Sequence, residues 1–389
     1  MSDLMAAFRA TAELQQAGDL RAAAQGWRAI LREHPGSAEA WSNLGGVLWA
    51  LEAVEEAGAC HREAVRLRPG AGWAQRGLAT WLHNTGAWDE ARGAYGAAIA
   101  AGADAWLLRD FGQLLLGLGD YTAGWPLYEH RKGLPGSDAP PLSGEWQGEP
   151  IAGRSLLVWP EQGYGDMIQF ARFLPKLRDV GAQVTFVSPP ELIPLFSSLG
   201  VGLVPRTPSL TVPAPDAWTL IGSIPGRLGI TLQTLPSAPY LAPPPARAGL
   251  ASAAPGTVAV AWRGRPTHPN DRFRSLPQDL LSPLVAGLGL TPLDLSDPLP
   301  DEEGFADTAA LLQSVDLVIT VDTALAHLAG ALGRPCWVLL PWRRGDWRWL
   351  QGRADSPWYP SVRLFRQPYL ADWSPVLAEV GQALASWTQ

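Results

Sequence analysis

The segment Asp316-Leu-Val-Ile-Thr-Val-Asp322-Thr323-Ala324-Leu-Ala-His327-Leu-Ala-Gly-Ala-Leu-Gly333-Arg-Pro335 runs from a β-branched stretch into a polar-capped helix. Val318 to Val321 predicts a buried parallel strand. Asp322 and Thr323 can cap the helix that follows, and Gly333 with Pro335 stops it. Thr323 and His327 stand four residues apart and share one face of its first turns. A strand that ends in such a helix start makes an anion site, because free N–H groups and the helix dipole point outward.

Three further segments carry chemistry. Trp159-Pro-Glu161-Gln162-Gly163-Tyr164-Gly165-Asp166 joins a strand to a helix, and its glycines permit close backbone approach. Ile168 stands where a dinucleotide fingerprint needs its third glycine. Asp166 can cap the helix or act as a general base, and Glu161 is a second carboxylate for that role. Trp262-Arg263-Gly264-Arg265-Pro-Thr-His268-Pro-Asn270-Asp271-Arg272-Phe273-Arg274-Ser275 places four arginines after another strand, where ligands bind in open α/β sheets. Arginine matches phosphate in a two-pronged way and neutralises a departing phosphate; a solvated basic loop is the plainer reading. Pro341-Trp342-Arg343-Arg344-Gly-Asp346-Trp347-Arg348-Trp349 combines rings that can stack on a base or sugar with cations for phosphate. A packed interior surface explains it equally well. No His/Cys/Asp/Glu spacing suggests a metal, and there is no Asp-x-Asp triplet.

These loops need elements to hold them. Trp41, Leu44, Gly45, Leu48, Ala57, His61, Ala64 and Pro69 fall on the tetratricopeptide (TPR) spacing of ~34 residues. Gly18-Asp19, Gly86 and Gly119-Asp120 mark the turns of neighbouring copies. Ala23 with Trp27 and Ala91 with Tyr95 repeat a small-then-large pair that lets helices approach and interlock. About four copies fit between Leu4 and Arg131, the last degenerate. Such an array either binds a peptide or braces its neighbour. Strand–helix alternation then predicts two doubly wound sheets. The expected domains are repeats over 1–131, a linker over 132–153, a Rossmann-like domain over 154–241, a Pro-rich linker over 242–256 and a second Rossmann-like domain over 257–389.

Composition sets bounds. The 389 residues allow two or three cored domains, and 47% hydrophobic with 17% charged is globular. A net charge of −7 argues against general nucleic-acid binding. Cys60 and Cys336 support neither a disulfide framework nor a zinc site. No signal peptide and no membrane-spanning run is read, so a cytoplasmic location is expected. Most of the 19 Trp are expected to pack.

The order of repeats, Glu-Gln-Gly-x-Gly-Asp, Trp-x-Gly-x-x-x-His-x-Asn-Asp-Arg-x-Arg-Ser and Asp-Thr-Ala-x-Ala-His-Leu-Ala-Gly-Ala-Leu-Gly-x-Pro resembles bacterial TPR glycosyltransferases. These are related to heptosyltransferases and more distantly to protein O-GlcNAc transferases. The resemblance implies α plus α/β architecture: TPR helical repeats followed by a GT-B fold of two Rossmann-like domains. It implies an inverting, metal-independent transfer from a nucleotide-sugar to a hydroxyl, with no cofactor. It makes Asp166 the base, with Glu161 behind it. Trp262, Arg263, Arg272, Arg274, Ser275, Asp322, Thr323, Ala324, His327, Trp342 and Arg343 would bind the donor, with Arg274 on phosphate and Ser275 as a cap. A protein acceptor, flagellin-like for example, is the partner the repeats suggest. A scaffold with an inactive GT-B domain and a nucleotide-sugar epimerase are the competing classes. A chain beginning near Gly144 is expected to retain nucleotide binding.

Overall fold

The computed structural model describes all residues except 1, 137–138, 141, 209, 211, 243–251, 269, 298–304, 343–344 and 388–389. Most of the 242–256 linker, and Arg343 among the expected donor residues, lie outside the described residues.

By its contacts the chain divides into two compact units, one of residues 1–115 and 127–134, the other of 116–126 and 135–389. The first is helical. Its helices α1 (Ser2–Gln16), α2 (Leu20–Glu33), α3 (Ala38–Ala50), α4 (Val54–Leu67), α5 (Gly72–Asn84) and α6 (Trp88–Ala101) pack as consecutive antiparallel pairs. Helices α7 (Ala105–Gly117) and α8 (Tyr121–Tyr128) follow, each shared between the two units. The turn inside each pair has one left-handed residue: Gly18, Glu52, Gly86 and Gly119, with φ of 84, 66, 85 and 84°. Their steps of 34, 34 and 33 residues are the expected period. The small-then-large pairs are buried as anticipated (Ala23 and Trp27, Ala91 and Tyr95). In the second copy His61 fills the large position beside Ala57. Its ring lies on Gly45 and Gly77, where a Cβ would come within 2.8 Å of it.

The second unit holds two sheets. Strands β1 (Ser155–Trp159), β2 (Gln183–Ser188), β3 (Gly202–Pro205) and β4 (Ala217–Leu220) form a parallel sheet in the order β3-β2-β1-β4. Strands β5 (Thr257–Ala261), β6 (Thr291–Asp294), β7 (Leu317–Val321), β8 (Cys336–Leu340), β9 (Asp355–Ser356) and β10 (Tyr359–Arg366) form the other, in the order β6-β5-β7-β8-β10-β9. Only β9 is antiparallel within it. Helical repeats followed by two mainly parallel sheets are the expected fold class, and the arrangement is consistent with a GT-B-like fold. Helices α9 (Tyr164–Phe170), α10 (Leu174–Asp179), α11 (Ile193–Phe196) and α12 (Ile224–Arg227) accompany the first sheet. Helices α13 (Asp271–Arg274), α14 (Gln278–Gly287), α15 (Phe305–Leu312), α16 (Ala324–Ala331) and α17 (Ser374–Trp387) accompany the second.

Both sheets reverse their strand order beside the candidate loops. The first reverses between β1 and β4, and the second between β5 and β7. A crevice opens at such a switch point, beyond the strands' carboxyl ends. The two halves meet there, and α9 packs on α16. Buried Arg172 follows α9, and its Nη1 donates to the Pro236 carbonyl at 2.8 Å and to the Trp358 carbonyl at 2.7 Å. Residues 116–126 close the same unit: Tyr121 and Trp125 pack on Trp347, and the Trp358 indole donates to the Tyr121 hydroxyl at 2.8 Å.

Candidate active site

Strand β7 is buried throughout and delivers Asp322 and Thr323 to the start of α16. Thr323 is the N-cap as expected, its hydroxyl accepting from Leu325 N at 3.3 Å. Arg274 reaches this corner from the β5 loop. Its Nη1 donates to the Asp322 carbonyl at 2.6 Å, and its Nε to Asp271 at 3.2 Å. Gly264 is what makes room, since a Cβ there would lie 2.2 Å from Arg274 Nη2.

His327 sits one turn into α16 and is 6% exposed. Its Nδ1 is 3.0 Å from the Tyr359 hydroxyl, and its ring stacks on Trp349 with centroids 5.1 Å apart. Burial pulls the imidazole down to about 3, so it is neutral at physiological pH. The opposite half meets it through Gly165, where a Cβ would stand 2.8 Å from His327 Cδ2 and 3.5 Å from Ala324 Cα. The Gly-x-Gly-Asp loop and the helix start of the second half are thus in contact.

Asp166 opens α9. One carboxylate oxygen accepts from Gly163 N at 2.9 Å, the half of a capping box that a glycine N-cap permits. The other pairs with Arg348 of the second half. The helix start alone predicts a lowered pKa, but the carboxyl is raised above its ordinary value. Burial is the main cause; Arg348 opposes it, and Asp346 adds to it. Asp322 is raised as well, to about 7, by burial first and by Asp346 second. Asp346 caps the short 3-10 turn Trp347–Trp349. It is held below the carboxylate range because Arg348, its partner at 3.0 Å, outweighs burial.

Several other expected residues have partners outside this cluster. Glu161 is 7% exposed, and its Oε1 accepts from Gly222 N at 2.8 Å, tying the β1 loop to the end of β4. Ser275 does not cap the next helix. It follows α13, accepts from Gly264 N at 3.2 Å, and leaves Pro277 in the cap position of α14. Arg263 turns to Asp297, and Trp262 donates its indole N–H to Asp294 at 3.1 Å. Arg272 is exposed over the Phe273 ring. Trp342 N donates to Gln367, whereas Trp347 and Trp349 are buried as packing. The structure therefore brings together Asp166, Arg274, Asp322, Thr323, Ala324 and His327, and adds Asp346, Arg348, Trp349 and Tyr359. Arg348 lies in the basic-aromatic loop read above as a source of cations for phosphate, a reading in which Asp346 carried no role.

Residues 302–339 match the family described as glycosyltransferase family 9 (heptosyltransferase). That stretch includes β7 and the start of α16. The chain is 30% identical over 323 residues to Protein FlbA of Caulobacter vibrioides, an overlap of 70% of this chain and 53% of FlbA. It thus spans about half the length of that curated relative. Among solved structures, a MamA protein overlaps 34% of this chain and 74% of its own at 18% identity and a TM-score of 0.31. YrrB, titled a TPR protein with an unusual peptide-binding site, overlaps 32% and 64% at 19% identity and a TM-score of 0.29. The assignment of the repeats rests on the helix pairs themselves. The family match and the relative bear out the resemblance to repeat-containing glycosyltransferases and support glycosyl transfer.

Proposed function

We propose that the α/β unit is an inverting, metal-independent glycosyltransferase that moves a sugar from a nucleotide-sugar to a hydroxyl, with a protein Ser or Thr as acceptor. In the proposed step the acceptor O–H gives its proton to Asp166, and its oxygen attacks the anomeric carbon. The bond from that carbon to the diphosphate breaks, and its electron pair leaves on phosphate. The N-terminus of α16 and Arg274 meet the developing charge, in place of a metal ion. The observation that carries this reading is the contact of Gly165 with Ala324 and His327. It sets the loop that carries Asp166 against the start of α16, the corner proposed to take the diphosphate. A raised Asp166 pKa also suits a base, which works best near the operating pH. The helical repeats are the element suited to holding a protein acceptor.

A thermal-shift panel of UDP-, ADP-, GDP- and CMP-sugars identifies the donor, since ligands of the folded state raise its stability. With that donor, Asp166→Asn should lower turnover by ~10²–10⁴-fold and leave donor affinity nearly unchanged. Wild-type turnover in Asp166→Asn removes Asp166 as the base. Donor binding by a wild-type protein that transfers nothing to any hydroxyl acceptor supports the scaffold class instead.

A further inference from the structure

The carboxylate assigned as base is gripped from the other half of the molecule. Arg348 pairs with one oxygen of Asp166, and its Nη2 also faces Gln162 Oε1 at 3.4 Å. Its Nη1 lies 3.0 Å from both oxygens of Asp346. The side chain is 4% exposed, with its guanidinium carbon 4.5 Å from the Trp347 ring and 5.3 Å from the Phe170 ring. A planar fork held between two aromatic faces presents its donors in fixed directions, which a lysine ammonium cannot do. Gly163 N fixes the second oxygen of Asp166.

We propose that Arg348 is a positioning residue for glycosyl transfer, a clamp across the two halves that fixes both the orientation and the charge of the Asp166 carboxylate. The inference rests on Asp166 being the base. Its physical ground is the cost of ionising a carboxylate in a largely dry pocket, where the Asp166 side chain is 20% exposed. Without an opposing charge such a group takes up a proton and can no longer accept one. Among the described residues, the groups that act on the Asp166 charge can be named. Asp346 and Glu161 disfavour its ionisation, Gly163 N favours it, and His327, whose ring touches Gly165, is neutral. Arg348 is the principal charge that keeps it ionised. Since Asp166 and Arg348 belong to different halves, the base is complete only while the halves lie together.

The test is a pH titration of the full chain labelled with ¹³C at the aspartate carboxyls. Loss of a signal in Asp166→Asn identifies the Asp166 resonance. In Arg348→Gln its midpoint should rise by about one unit or more, the size expected on losing an adjacent opposite charge. In Asp346→Asn, which retains the cap, the midpoint should fall. Turnover with the donor from the thermal-shift panel supplies a second readout. Arg348→Gln should lower kcat and move the acid limb of the pH profile upward, with donor KM little changed, and Arg348→Lys should recover the limb better than the rate. Melting curves establish that each variant folds. If Arg348→Gln does not fold, the Asp346→Asn titration decides. An Asp166 midpoint that stays in place in the folded variants overturns the clamp. Wild-type turnover in Asp166→Asn would instead show that the base assignment has failed, whatever Arg348 does.

Discussion

Arg274→Ala should weaken nucleoside-diphosphate binding by roughly 1–3 kcal/mol, the range for losing a charge-assisted contact. Gly264→Ala offers a second route to the same loss, because the added methyl would stand 2.2 Å from Arg274 Nη2 and displace it. Calorimetry that finds wild-type affinity in both variants refutes a phosphate role for Arg274. His327→Ala should cost less, about 1 kcal/mol, because a buried neutral imidazole offers a hydrogen bond and not a charge. Asp322, Thr323 and His327 were legible as a set because strand, cap and helix face are local patterns. Their charge states were not. The helix-start argument for Asp166 predicts a lowered pKa, yet burial and Asp346, 180 residues away, raise it. Ser275 was misread for a related reason: Pro277 follows, takes the cap position, and leaves Ser275 to bind the Gly264 backbone.

The helical repeats could be read almost fully, since one period fixes turns, small residues and large residues together. His61 shows what such a pattern hides. It fills an aromatic slot, its Nδ1 finds no hydrogen-bond partner, and burial lowers it to about 4 from 6.5. Burial lowers His83 to about 4 as well. A histidine depressed in the fold gives stability that is present above pH 6.5 and lost as pH falls towards 4. The loss from His61 alone is on the order of 3 kcal/mol, at about 1.4 kcal/mol per unit. His61→Leu should therefore flatten part of the decline in urea midpoint between pH 7 and pH 4.5. A decline equal to wild type would show that His61 does not titrate in that window. Strand β10 was missed for the opposite reason. Its Tyr-Pro-Ser-Val-Arg-Leu-Phe-Arg shows no clean two-residue alternation, the buried positions being Tyr359, Val362, Leu364 and Phe365.

At the scale of the whole chain, residues 116–126 change the expectation for truncation. They carry the repeat signature Gly119-Asp120, yet they pack as part of the α/β unit. Gln351 N donates to the Gly117 carbonyl at 2.9 Å, and the Trp125 indole donates to the Ile230 carbonyl at 2.8 Å. Tyr121 and Trp125 cover Trp347, the ring on which Arg348 lies. No spacing rule joins Tyr121 to Trp358, 237 residues on, so this part of the site's support could not be seen in the sequence. A chain beginning near Gly144 loses both aromatics, at a cost of roughly 3–5 kcal/mol for each buried ring removed. It should melt well below the full chain and lose the stabilisation that a nucleoside diphosphate confers, because the turn carrying Asp346 and Arg348 is uncovered. A chain beginning at Ala105 keeps both rings and should retain that stabilisation without α1 to α6. Thermal-shift measurements on the two truncations decide the matter: equal melting temperatures and equal nucleotide-induced shifts would mean that residues 116–126 are dispensable to the α/β unit.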